Sequence, residues 1–159
     1  MPGWAGRITK AAVAGAIAVT GVAVGTGSAH ADSAALCRSQ VVGKGYYPVV
    51  DGVAIDSCYN VKDDGRTIYA TVPFNVTNND KIMICAHLLN ANNPGGPWVH
   101  DFGCDYATSY GWGIAQPGYC CYGQGRYFTA DPGAYIVSAG FWLNGQYYGD
   151  VESPRTVIG

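Results

Sequence analysis

The 159-residue sequence predicts an all-β sandwich, and three observations carry that prediction. Apolar residues alternate with period two in several short stretches. Gly, Pro, Asn and Asp turns separate those stretches. No amphipathic helix of any length is present. A compact, disulfide-stabilised sandwich, immunoglobulin-like or similar, is the expected architecture, with a barrel as second choice. No internal repeat and no linker divides the chain.

The elements follow in order. Residues 32–39 form a short arm or first strand, tied down by Cys37. Residues 41–50 read as a strand interrupted by Gly43 and Gly45, and Pro48 places it at an edge. Residues 53–59 read as one short strand ending at Cys58. Asp63-Asp64-Gly65 is a turn, and no D-x-D-x-D-G series makes it a calcium loop. Residues 67–76 are the cleanest single strand: Ile68, Ala70, Val72, Phe74 and Val76 fall on one face, and Pro73 marks an edge or bulge. In residues 81–90 both alternating sets are apolar, as in a central strand covered on two faces. NNPGGP at 92–97 is a turn-rich loop, and 98–105 a strand carrying Cys104. Residues 106–124 are irregular and dense in Gly and aromatics. A short strand at 125–129 and a turn at Asp131-Pro132-Gly133 lead into the best-defined element, AYIVSAGFWLNGQYYGDV at 134–151. There Tyr135, Val137, Ala139, Phe141 and Leu143 alternate with Ile136, Ser138, Gly140 and Trp142. Asn144-Gly145 supplies the positive φ angles of a type I′ hairpin turn. Residues 156–158 add a last edge strand.

The first 31 residues read as a Sec-type signal peptide. Arg7 and Lys10 precede an apolar run at 11–24, and Ala29-His30-Ala31 is an A-x-A cleavage signature. The run is short for a membrane span, and its Ala/Val/Gly-rich style is actinobacterial. Cleavage after Ala31 leaves a single secreted domain, 32–159, with a short N-terminal arm. The leader removes two of nine basic residues and none of eleven acidic ones, so the mature charge is −4. That balance speaks against nucleic-acid and anionic-membrane partners.

Six cysteines lie in the mature part: Cys37, Cys58, Cys85, Cys104, Cys120 and Cys121. An even count in an exported chain reads as disulfides, and six cysteines allow fifteen pairings. A Cys120–Cys121 bond would strain the intervening peptide. The expectation is that each neighbour reaches a different partner. The alternatives, a vicinal redox switch or a metal site with His87 or His100, lack a C-x-x-C pair, and no metal or cofactor is expected.

Catalytic chemistry finds little support. His100-Asp101 with Asp105 is the nearest approach to a site, but neighbours in a strand point to opposite faces. No G-x-S-x-G elbow is present. Asp150 and Glu152 are a close carboxylate pair, expected at an exposed strand end rather than facing one another as a glycosidase requires. No catalytic residue is assigned. Aromatics are the stronger signal: nine lie between Trp98 and Phe128. They either fill space beside glycines or present a binding surface to a protein or a sugar. Tyr106, Tyr110 and Trp112 are the residues expected to be exposed for binding.

Three functions fit: a non-catalytic protein–protein interaction module docking other secreted proteins through an edge strand or aromatic loop, an inhibitor of a secreted hydrolase presenting loop 92–97, or a polysaccharide-binding module. In its signal peptide, size, cysteine-bearing β-rich domain and short N-terminal arm, the chain resembles the small exported adaptor subunit of the umbrella-type toxin particles of Streptomyces. The resemblance implies an adaptor joining a lectin subunit to the stalk-bearing toxin subunit, without catalysis of its own. It is one of format and assigns no residue a role.

Overall fold

A computed structural model describes residues 35–41, 44–47, 50–78, 81–107, 110–119 and 123–159. The segment expected to be a signal peptide, and Cys120 and Cys121, lie outside the described residues. Eleven strands follow one another: β1 (Leu36–Cys37), β2 (Val53–Ile55), β3 (Cys58–Val61), β4 (Thr67–Val76), β5 (Met83–Asn90), β6 (His100–Tyr106), β7 (Gly111–Ala115), β8 (Phe128–Thr129), β9 (Gly133–Leu143), β10 (Gln146–Glu152) and β11 (Thr156–Ile158), with one 3-10 turn at Arg38–Gln40. They form two antiparallel sheets, open rather than closed, packed as a β-sandwich. Among the described residues no helix is long and apolar enough to cross a membrane.

The six-stranded sheet is built on β4. Its first half pairs with β3 and β8 and its second half with β2 and β7, while β1 adds beyond β3. Its predicted inner face, Ile68, Ala70, Val72, Phe74 and Val76, is at most 2% exposed. Pro73 does not mark an edge, because β4 is paired on both sides. The Pro73 carbonyl accepts the Asp56 N–H, so its missing N–H faces the gap between β2 and β3, where the ladder is already broken. That gap also corrects the single strand expected at 53–59. There the Asp56 carboxylate accepts from the Ser39 N–H and hydroxyl and from the Ser57 N–H, and Ser57 Oγ donates to Val137 O in the other sheet. Among the described residues of 41–50 the expected strand does not form. Successive turns close from Val41 to Arg38 and from Lys44 to Val41, and of its described residues only Val50 makes a bridge, to Val53.

The five-stranded sheet runs β10-β9-β5-β6, with β11 pairing β9. β5 is central and covered on both faces, as its two apolar sets predict. The β9–β10 hairpin turns at Asn144 (φ 51°) and Gly145 (φ 79°), the backbone that Asn-Gly favours. Tyr135, Val137, Ala139, Phe141 and Leu143 face the core, which closes around Phe74, Phe102 and Phe141. β7 corrects the irregular reading of 106–124: Gly111–Ala115 ladders onto β4 in register from Val76 to Val72.

Two disulfides are cross-strand pairs. Cys37–Cys58 joins β1 to β3 and Cys85–Cys104 joins β6 to β5, and in each the cysteines are direct ladder partners. The expectation that Cys120 and Cys121 each reach a different partner falls outside the described residues.

Candidate functional site

The outer face of the five-stranded sheet carries the candidate site. Cross-strand partners share a face, so three rows can be traced across it. Asp101, His87, Ser138 and Glu152 form the first; Cys104, Cys85 and Gly140 the second; Tyr106, Met83, Trp142 and Tyr147 the third.

The first row depends on a β-bulge. Ala86 pairs with Gly103 but His87 pairs with Asp101, so Phe102 is an extra residue on β6. Gly103 takes φ 84°, a conformation suited to glycine. The extra residue sends Phe102 into the core, where it is fully buried, and brings Asp101 outward to face His87. A second irregularity, between Tyr148 and Val151, leaves Asp150 at φ 64°. Asp150 and Glu152 then line the same cavity. Tyr147 lies across Gly140: a Cβ there would come within 2.3 Å of the phenol oxygen, so only glycine permits this approach.

A cavity of about 400 Å³ opens over these rows, with the Cys85–Cys104 bridge in its floor and Trp98, Trp142, Tyr147, Asp101 and Asp150 around it. A second, of about 450 Å³, shares His87, Trp98 and Asp150 with the first and continues over Ser138 and Glu152 to the Pro94–Gly96 loop. The two make one trough divided by Trp98. The Trp98 indole stacks on the His87 imidazole, centroids 3.9 Å apart and planes 8° off parallel. His87 is 7% exposed and Trp98 57%, so the imidazole is covered and the far face of the indole is open. Trp142 is 42% exposed and leans on Tyr147 at 5.3 Å.

Burial pushes the His87 pKa below its ordinary value, with the nearby Asp101 and Asp150 carboxylates pulling the other way. The imidazole is therefore neutral at neutral pH. Burial, and then Asp150, push the Tyr147 phenol up to about 12. Its hydroxyl is buried without a protein hydrogen-bond partner. Among the described residues no lysine or arginine lines either cavity, so the trough is acidic and aromatic.

Compared with protein-family models, curated proteins and solved structures, the chain finds no match.

Asp101, His87 and Ser138 stand in the order of a nucleophilic triad, but the surroundings differ from one. Ser138 sits mid-strand on β9, laddered to β5 on one side and β10 on the other, so its neighbouring N–H groups serve strand pairing rather than a developing oxyanion. Cys85 and Cys104 are spent on their bridge. What the trough offers is stacking area, carboxylate acceptors and the unpartnered Tyr147 hydroxyl. Among the described residues the one cluster with metal-ligand spacing is Cys37, Asp56 and Cys58, and its two sulfurs are bonded to each other.

The predicted aromatics are all exposed, Tyr106 at 49%, Tyr110 at 69% and Trp112 at 66%, yet they do not form one surface. Tyr106 ends the third row of the trough's own face. Tyr110 and Trp112 belong to the other sheet, where Tyr110 Oη donates to Thr77 O (2.7 Å) and Trp112 packs edge-on against Tyr46. Trp112 and Ile114 project from β7, which ladders with β4 alone among the described strands. His100 points inward, as strand alternation requires. Its Nε2 lies 2.6 Å from Gly125 O and its ring stacks on Phe128. Asp105 accepts the Gln116 N–H. Sequence reasoning missed the convergence of His87, Trp98, Asp101, Trp142 and Asp150. The signal that could have found it is Phe102-Gly103, a large residue followed by a glycine inside a strand.

Proposed function

We propose that the chain is an exported, non-catalytic protein–protein interaction module that seats a segment of an extracellular partner in the trough over β5, β6, β9 and β10. One observation supports this above the rest: Trp98 and Trp142 stay about half exposed around a 400 Å³ cavity, although the core beneath them is complete without them. Exposed indoles beside a cavity are the anchors from which interfaces draw most of their energy, and soluble domains leave few such patches uncovered without a partner. The leader and the two disulfides favour export to an oxidising compartment. The stripe of Tyr110, Trp112 and Ile114 beside the open edge of β7 offers a second surface on the opposite sheet. Two opposed surfaces are what an adaptor within a secreted toxin complex would use, the role the format's resemblance implies.

The test is an affinity purification of the tagged chain from native culture supernatant under non-reducing conditions, with Trp98→Ala and Trp142→Ala in parallel. A stoichiometric co-exported protein held by the wild type and lost from both variants is the expected result. A clean monomer refutes the reading. The open indole faces also favour a second reading, stacking of a polysaccharide. In that case the wild type stays on chitin or cell wall and the variants wash through.

A further inference from the structure

Resting on that reading, we infer that what the trough accepts is a cation carried by the partner: a lysine or arginine side chain of an extended segment, laid on the open face of Trp98 and held by Asp101, Asp150 and Glu152. Asp101 and Asp150 line one cavity, and Asp150 and Glu152 the other. None of the three belongs to an ion pair; the one salt bridge among the described residues joins Arg66 to Asp131. The imidazole beneath Trp98 adds no positive charge.

The opposite sheet shows how this chain treats aromatic surface when it supplies the cation itself. Lys62 Nζ stands 3.4 Å from the centroid of Tyr127. The Arg126 guanidinium lies over Tyr119 at 4.3 Å and near Tyr127 and Tyr69 at 5.2 and 5.5 Å. There the tyrosines are capped by the molecule's own basic residues. On the trough face the indoles are richer in π surface and are ringed by carboxylates, yet no basic residue reaches them. Cation–π attraction is strongest at tryptophan, and a carboxylate beside the ring can add a charge-assisted hydrogen bond to the same cation. Donor chemistry agrees. Ionised carboxylates only accept, and lysine and arginine only donate. The mature charge of −4 draws a basic segment toward the domain. Two cavities on either side of Trp98, with Asp101 in one, Glu152 in the other and Asp150 shared, suit two basic side chains from one extended strand.

The probe is a blocked pentapeptide carrying two arginines, titrated into the full exported chain, with its glutamine twin and N-acetylchitotetraose as comparators. The mature chain has three tryptophans, Trp98, Trp112 and Trp142. Their indole N–H signals are read by 1H–15N NMR and assigned with single Trp→Phe variants. Trp112, on the other sheet, is an internal reference. The arginine peptide is expected to shift Trp98 and Trp142 saturably and leave Trp112 in place, with the glutamine twin inert. Asp150→Asn removes one charge and suits the positive φ, which asparagine tolerates. It should weaken binding about fivefold, and raised salt should weaken it further. Glu152→Gln gives an independent second variant. The inference is overturned if the glutamine twin binds as well as the arginine peptide, if neither substitution nor salt changes the affinity, or if the oligosaccharide alone moves the two indoles. A culture-supernatant partner that depends on Trp98 while the arginine peptide is inert overturns this inference and leaves the interaction module standing. No partner and no responding probe overturns both.

Discussion

Tyr147→Phe should make this protein more stable. The phenol ring packs on Gly140, Gly149 and Trp142, and those contacts survive the loss of the hydroxyl. The hydroxyl itself is buried with no protein partner. A buried donor left unsatisfied costs about 1–3 kcal/mol. The ring is only half buried, so the low end applies, and the expected gain is about 1 kcal/mol. With a urea m-value of about 2 kcal/mol per molar, the midpoint should rise by about 0.5 M at unchanged slope. Alkaline titration supplies a second reading. The folded phenol ionises at about 12, against 10 in an unfolded chain. Below pH 10 both states hold the proton and nothing changes. Between 10 and 12 the unfolded chain releases it first, so wild-type stability falls with rising pH and the Phe variant falls less steeply. Equilibrium urea unfolding of both proteins at pH 7 and pH 11, followed by circular dichroism, measures both effects. A Phe variant less stable than the wild type at pH 7 would show that the hydroxyl is satisfied and that this account of the trough wall is wrong.

Four further outcomes are expected. Gly140→Ala places a methyl within 2.3 Å of the Tyr147 oxygen and 2.8 Å of Gly149 Cα, so it should cost about 1–3 kcal/mol and change the near-ultraviolet spectrum of Trp142 and Tyr147; an unperturbed spectrum contradicts the close approach. His87, buried and with its pKa lowered, binds its proton less readily folded than unfolded. Stability should therefore decline as pH falls below about 6.5, and level off once the folded imidazole also protonates; His87→Gln should flatten that limb in thermal melts. Non-reducing peptide mapping should recover Cys37–Cys58 and Cys85–Cys104, with no peptide linking Cys120 or Cys121 to any of the four. Replacing Cys85 and Cys104 together by alanine, a bridge spanning 19 residues, should cost about 3 kcal/mol.

Much of the fold was legible because period-two alternation survives wherever strands pair regularly. In β9 and β4 the apolar sets read from the sequence are the ones that face the core, and the two apolar sets of β5 announced a central strand. Legibility failed where local pattern and tertiary partner disagree. GWGIA has too little apolar repetition to read as β7 on its own; it is a strand because β4 lies beside it with a free ladder. Residues 41–50 are rich in β-branched residues, but the chain turns after Arg38–Gln40 and the described residues among them make only one isolated bridge, Val50 to Val53. Pro73, a valid edge signal in isolation, was defeated by a break in the neighbouring strand that only tertiary structure reveals.

The trough was hidden for a different reason. Alternation assigns faces by parity, and a bulge changes parity without leaving an apolar trace. With no extra residue at Phe102, Phe102 would oppose His87 on the outer face and Asp101 would oppose Leu88 in the core, an arrangement that buries a carboxylate and exposes a phenylalanine. The bulge corrects both at once, and that double gain is the reason to expect it at this point in β6. The same step that seats Phe102 beside Phe74 and Phe141 therefore delivers the Asp101 carboxylate to His87 and Trp98. Core packing and the acidic character of the trough are two consequences of one inserted residue. A deletion restoring regular register here would be expected to damage stability and the trough together, whereas Asp101→Asn, which keeps an oxygen to accept the Gly103 N–H, should spare the fold and alter the trough's charge alone.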